Sequence, residues 1–209
     1  MPTTWYNRIA GQNLERLAAL SDGIFAVAMT LLVLDIHAPA AHAIHSEDDL
    51  WLALRQLAPR LLVYLMSFVT LGIFWIGQQT QFNQLAQSDR HLTWIHIAFL
   101  ALVSVMPFST SLLAEFIEFR LALLLYWANI LFLGLILYVS WRYAASAGLV
   151  QSDSDEIRCA IERRILIAQS LYAFGALLCF FNTYWSIGFI VLVQLNYAIA
   201  PRFKPFSRL

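Results

Sequence analysis

Long apolar runs separated by short polar segments dominate this chain. A helical run must supply about 20 residues to cross roughly 30 Å of hydrocarbon, and six runs reach about that length. They cover residues 17–36, 58–79, 92–114, 121–144, 165–181 and 183–200. Only Asn182 and Thr183 separate the last two runs, so a single re-entrant hairpin is an alternative there. The pattern predicts an all-α membrane protein with six transmembrane helices.

The polar segment between the first two runs predicts a short helix at the membrane surface. Ser46 and Asp49 have the spacing of a capping box. The residues that follow form one apolar face at helical spacing, namely Leu50, Trp51, Leu54 and Leu57. We expect this interfacial helix to precede the second span as a separate element.

Composition agrees with a membrane protein and excludes several other classes. Of 209 residues, 60% are hydrophobic and only 12% are charged, against about 25% charged in soluble domains. Basic and acidic residues balance at 13 each, and no basic stripe suggests nucleic acid as a partner. Cys159 and Cys179 stand apart without metal-ligand spacing. No catalytic motif, cofactor loop or metal motif is recognisable, so we expect a single membrane domain over 1–209 that is not an enzyme.

The distribution of basic residues predicts the orientation in the membrane. With an inside N-terminus, one side carries ten basic residues, namely Arg8, Arg16, Arg90, Arg142, Arg158, Arg163, Arg164, Arg202, Lys204 and Arg208. The other side carries three, namely Arg55, Arg60 and Arg120. Positively charged loops stay in the cytoplasm. We therefore expect a multi-pass protein with both termini cytoplasmic.

The first span contains an acid at membrane depth, which suggests a functional site. At 100° per residue, the helix divides into two faces. One face carries Val27, Thr30, Leu31 and Leu34, and the opposite side carries Ser21 and Asp22. The aliphatic stripe could meet lipid while the acid meets its own bundle, or the stripe could meet copies of itself around an axis. Geometry alone leaves both interpretations open.

Residues 16–36, RLAALSDGIFAVAMTLLVLDI, resemble the first-helix signature of the transmembrane protein 175 family, whose animal members are endolysosomal potassium channels. The shared positions are Arg16, Ser21, Asp22, Gly23, Ile24, Phe25, Ala26, Thr30, Leu31 and Leu32. The resemblance extends to FWIGQQTQF at 74–82 and HLTWIHIAFLALVSVMPFSTSLL at 91–113. The chain departs from the family pattern in two respects: Leu20 replaces a phenylalanine, and Gln78 and Gln79 replace a pair of histidines.

The resemblance implies a homotetrameric, potassium-selective channel in a bacterial inner membrane, with the first helix of each subunit lining a central pore. By position, the hydrophobic filter would consist of Val27, Leu31 and Leu34, with Thr30 adding a layer of hydroxyl groups. A helix-packing motif would comprise Arg16, Ser21 and Asp22, with donors on later helices at Trp75, Trp94 and His96. Its partners would be potassium ions, the lipid bilayer and copies of itself.

Two alternatives to a channel remain from the sequence. The first is a proton-coupled transporter that uses Asp22 as an intramembrane relay. Such transporters have two halves with a helix broken by glycine or proline at matching positions. This chain shows no such pair, because Pro107 alone interrupts the third span. The second is an assembly subunit without transport.

Overall fold

The computed structural model describes residues 13–151 and 155–199. Six helices account for most of this part of the chain. They are α1 (Leu14–Leu31), α2 (Glu47–Phe82), α3 (Arg90–Glu115), α4 (Arg120–Ser146), α5 (Asp155–Leu177) and α6 (Thr183–Ile199). Short 3₁₀ turns follow α1 at Leu32–Asp35 and α5 at Leu178–Phe180. The fold is all-α, as predicted.

Five of these helices are long and apolar enough to cross a membrane by themselves or with their 3₁₀ extension. The sixth, α6, is apolar but has 17 residues, or about 26 Å at 1.5 Å per residue. Asn182 alone separates Phe181 from the start of α6, and the two helices form a helical hairpin. Four of the basic residues used to predict orientation, Arg8, Arg202, Lys204 and Arg208, lie outside the described residues, as do both ends of the proposed 1–209 domain.

The predicted interfacial helix is not a separate element. Helix α2 runs without interruption for 36 residues and carries Pro59 inside it. The Ser46 hydroxyl caps its N-terminus, accepting a hydrogen bond from the Asp49 backbone N–H at 3.1 Å. Proline removes one helical hydrogen bond, but no glycine or second proline lies within the next twelve residues to stop a leucine-rich segment. The amphipathic turn and the second span are therefore one helix.

Three aromatic rings join the first three helices in the core. Phe25 of α1 lies 6.1 Å from Phe99 of α3, measured between ring centroids, and Phe74 of α2 lies 6.3 Å from Phe99. All three side chains are buried. Such tilted pairs add to the stabilisation from burial alone. This cluster fixes one side of α1 against the bundle and leaves the other side uncovered.

A polar layer crosses the bundle between α2, α3, α4 and α6. The Tyr126 hydroxyl lies 3.2 Å from the hydroxyls of both Ser67 and Thr70. Gln194 donates to Thr70 at 2.6 Å, and Thr110 lies 2.8 Å from Ser67. In hydrocarbon an unpaired polar group is costly, so these mutual bonds hold four helices in one register.

Candidate functional site

Helix α1 presents one face away from its own subunit. Val27 is 57% exposed, Leu31 is 42% exposed and Leu34 is 65% exposed, and Thr30 is also exposed. Leu17, Ser21, Phe25, Ala28 and Leu32 form the buried face of the same segment. Nothing in the subunit covers the stripe within the described residues. The two-faced helix expected from 100° spacing is therefore present.

The stripe does not follow one regular α-helix to its end. Helix α1 ends at Leu31 and continues as a 3₁₀ turn over Leu32–Asp35. A 3₁₀ turn advances about 120° per residue instead of 100°, so Leu34 turns by up to about 60° relative to an ideal α-helix. Leu34 nevertheless remains on the exposed side, because Leu31 and Leu34 are one 3₁₀ turn apart.

The Thr30 hydroxyl has a fixed hydrogen-bonding role. Its Oγ1 donates to the Val27 carbonyl oxygen at 2.8 Å. A hydroxyl has one hydrogen to donate and two lone pairs to accept. Because the hydrogen is directed into the helix backbone, the lone pairs of the oxygen are available to a donor or a cation outside the subunit.

Behind the exposed stripe, a buried hydrogen-bonded chain joins α1 to α2, α3 and α4. Ser21 donates through its hydroxyl to the Gln78 side-chain carbonyl. The Gln78 Nε2 lies 3.2 Å from Nδ1 of His96, and the His96 Nε2 lies 3.0 Å from the Ser140 hydroxyl. All four side chains are at most 2% exposed. A neutral imidazole that accepts at Nδ1 from Gln78 and donates from Nε2 to Ser140 fits both of these contacts.

Asp22 lies at the edge of the contact between α1 and α2. Its Oδ1 accepts hydrogen bonds from Trp75 Nε1 at 2.8 Å and from Gln79 Nε2 at 2.9 Å. The residue remains exposed on its outer side, and Oδ2 has no hydrogen-bond partner among the described residues. The acid therefore joins α1 to its own bundle while part of the carboxylate faces outwards.

The structure does not bring every predicted packing residue into this network. Trp94 is 60% exposed and donates no hydrogen bond to Asp22 within the described part of the chain. Arg16 is exposed, its backbone N–H donates to the Asn13 side chain at 2.8 Å, and its guanidinium has no hydrogen-bond partner among the described residues. Leu20 also lies on the exposed face. Trp75 and His96 are the predicted donors that reach the α1 motif, His96 through Gln78.

Sequence reasoning missed two of the three α2 side chains that bond to the motif. Gln78 and Gln79 were treated as departures from a histidine pattern, but one bonds Ser21 and the other bonds Asp22. Ser140 was not considered, although it completes the chain at His96. The sequence did contain a signal for these contacts, namely two amides inside an apolar run. Buried amides require hydrogen-bond partners, so two such residues indicate contacts with polar groups on other helices.

These features define a multi-pass α-helical membrane protein whose first helix is held by polar bonds on one side and exposed on the other. The family described as "Endosomal/lysosomal potassium channel TMEM175" matches residues 16–107. A potassium channel of Chamaesiphon minutus is 30% identical over 88% of this chain and 93% of its own length. The chain belongs to the TMEM175 family.

Two further comparisons describe how far the similarity extends. A potassium channel of Streptomyces collinus is 38% identical over 103 residues, which cover 49% of this chain and 48% of that protein. A crystal structure of a lysosomal potassium-selective TMEM175 homolog from Chamaesiphon minutus superimposes with a TM-score of 0.79 at 29% identity. That match covers 90% of this chain and 97% of the crystallised chain. The similarity therefore extends beyond the first helices to the whole six-helix fold.

Proposed function

We propose that this chain is a subunit of a homotetrameric, potassium-selective channel in which α1 of each subunit lines a central pore. The observation that carries the proposal is the uncovered face of α1, where Val27, Leu31 and Leu34 are exposed beside the Thr30 hydroxyl. The names of the two bacterial relatives, both potassium channels, support it. The lipid-facing interpretation of this face is the alternative that the experiment must exclude.

The proposed filter works by dehydration. No loop of backbone carbonyls of the T-V-G-Y-G type is present in the sequence, so the chemistry of that filter is not used. Rings of Val27, Leu31 and Leu34 from four subunits would force an ion to lose water, which disfavours the more strongly hydrated sodium ion. The Thr30 oxygens, with their hydrogens bonded to the Val27 carbonyl groups, would replace part of the lost water for potassium.

Asp22 is proposed as a scaffold residue. Two donors from α2 bond its Oδ1 and hold the carboxylate in place. A proton relay would instead need a carboxylate that takes up and releases a proton along a path. Its unpartnered, outward oxygen is costly at membrane depth unless it meets a donor or water. A neighbouring subunit in the tetramer supplies such an environment. These contacts support the channel over a proton-coupled transporter with Asp22 as relay.

For orientation we propose an inner-membrane channel with both termini in the cytoplasm. Arginines of the described helices support this, since Arg90, Arg142 and Arg158 belong to one side and Arg120 belongs to the other. Arg60 belongs to the side of Arg120, because it pairs with Glu115 at the end of α3. Cytoplasmic loops carry the excess of basic residues. Labelling of single cysteines placed at 48 and 87, in a variant lacking Cys159 and Cys179, should give opposite accessibility in intact cells.

Planar-bilayer recording of the purified, reconstituted protein tests the function. We expect unitary current steps and, with potassium and sodium on opposite sides, a reversal potential displaced towards that of potassium. Slow flux that requires a proton gradient would support the transporter instead. The absence of any current or flux from a stable tetramer would contradict both functions and leave an assembly role.

A further inference from the structure

An apolar cleft lies between α2, α4, α5 and α6, away from the exposed face of α1. It is partly open to its surroundings. The walls are mainly aliphatic and aromatic, and they include Ile73, Gly77, Leu137, Ala168 and Tyr172. The hydrogen-bonded chains described above and the proposed pore do not involve this cleft.

The cationic group of the cleft lies at one end, and the Gln169 amide and the Tyr172 hydroxyl are the polar groups that lie deeper. Thr80 and Tyr197 line it two residues before the ends of α2 and α6, and Arg164 lines it nine residues after the start of α5, on the side of the basic residues. Tyr172 lies eight residues further along α5, which is about 12 Å deeper at 1.5 Å per residue. The cleft therefore changes from cationic to apolar as it runs from one membrane surface towards the midplane.

Arg164 at the rim is available for an anion. Its guanidinium carbon lies 5.9 Å from the centre of the Tyr197 ring, a stacking that orients the group while leaving its N–H donors free. Among the described residues it has no carboxylate partner, whereas Arg142 pairs with Glu162 at 3.6 Å and Arg158 pairs with Asp155 at 3.0 Å. The arginine beside the cleft is thus not neutralised.

Two glycines in the lining allow side chains of neighbouring helices to pack close to the backbone inside the cleft. Gly134 of α4 faces Gln169 of α5, whose Nε2 would lie 1.8 Å from a Cβ at position 134. The Gln169 amide instead packs over the glycine and donates weakly to the Ile130 carbonyl at 3.4 Å. Gly77 on the opposite wall likewise adds no side chain, and Leu137 lies 3.4 Å from its Cβ position.

We propose that this cleft binds one acyl chain of an anionic phospholipid from the leaflet on that side, with the phosphate at Arg164. Charge complementarity selects the occupant: the planar guanidinium matches a phosphate, and the apolar walls above it match a hydrocarbon chain that points to the midplane. Basic pockets between transmembrane helices bind anionic head groups in this way. The site is independent of ion conduction along α1.

Native mass spectrometry of the full-length channel tests the head-group contact. The purified protein is titrated with palmitoyl-oleoyl phosphatidylglycerol and, separately, with the corresponding phosphatidylcholine. We expect wild type to retain phosphatidylglycerol several-fold better, and Arg164→Gln to abolish most of that preference. Arg163→Gln is the matched control, because it removes the same charge from a neighbouring exposed position about 100° around the helix. An equal loss in the two variants would overturn the site.

A second pair of variants tests the acyl-chain contact. Ala168→Phe fills the cleft and should lower the occupancy of both lipids several-fold, whereas Leu166→Phe adds the same ring on an exposed surface and should not. Unchanged lipid binding in Ala168→Phe would contradict the proposal, as would stronger retention of free palmitate than of phosphatidylglycerol. Arg164 is exposed, so its variant keeps the proposal testable if Ala168→Phe fails to fold.

Discussion

The two faces of α1 differ in chemistry and in height along the helix, since Asp22 lies five residues, or about 8 Å, before Val27. The face towards the bundle contains Ser21 and, at its edge, Asp22, bonded by Gln78, Gln79 and Trp75. The face away from the bundle contains the exposed stripe of Val27, Thr30, Leu31 and Leu34. The polar side chains near the start of α1 therefore bond to the bundle, and the exposed stripe further along is apolar except for the Thr30 hydroxyl.

This difference separates two tasks within one helix. Directional hydrogen bonds define one position and rotation of α1 in a bundle where apolar contacts are no better than contacts with lipid. The stripe takes no part in that positioning, so its side chains can contact groups outside the subunit. The following variants test this separation.

Replacing Asp22 by leucine should have the largest effect. It leaves the Trp75 and Gln79 donors without an acceptor and removes the outward carboxylate oxygen. We expect loss of most tetramer, measured by size-exclusion chromatography with light scattering. Asp22→Asn keeps an acceptor for both donors and should lose less, while Glu15→Gln on the exposed first turn should assemble normally. Stable but poorly selective Asp22→Asn tetramers would place Asp22 in the pore.

Shortening Leu31 should change conduction without harming assembly. A wider, more easily wetted constriction passes ions faster, so we expect Leu31→Ala to raise single-channel current several-fold in planar bilayers. Leu135→Ala removes the same atoms from an exposed position on α4 and should behave as wild type. Identical conductance in the two variants would indicate that the α1 stripe faces lipid.

Removing the Thr30 hydroxyl should change selectivity more than current. Thr30→Ala deletes the oxygen lone pairs proposed to replace water around potassium, so we expect the potassium-to-sodium permeability ratio to fall, read from bi-ionic reversal potentials. Thr30→Ser should restore it. Ser104→Ala is the control, because that exposed hydroxyl makes the same bond to a carbonyl three residues back on α3. An unchanged reversal potential would refute the role.

The smallest effect should come from Gln78 and should appear in stability alone. Gln78→Leu leaves buried Ser21 and His96 without their shared partner, which costs about 1–3 kcal/mol for such a group. We expect a lower thermal unfolding temperature in detergent and unchanged selectivity among the molecules that assemble. The exposed Gln56→Leu variant should unfold like wild type. A selectivity change in Gln78→Leu would mean that the two faces are not independent.

Most of the fold was predictable because membrane spans are encoded locally. Apolar length identified each helix, and the small residues and hydroxyls of 16–36 carried the resemblance to the family. The prediction of a separate interfacial helix was wrong. The pattern marks the point where the helix passes from the membrane surface into the membrane, but the backbone does not break at Pro59. The regular α-helix over 17–36 was also too simple, because the backbone tightens after Leu31.

By itself the sequence determined the helices, the all-α membrane class and the division of α1 into two faces, because each depends on the order of residues along one helix. Only the tertiary structure decided which side chains meet Ser21 and Asp22. Gln78 lies 57 residues from Ser21 in the chain, and no periodicity relates such positions. From the sequence, Trp94 and Trp75 are equally good candidates to donate a hydrogen bond to Asp22. The packing of α2 against α1 decides between them, because it places the indole N–H of Trp75 against the carboxylate.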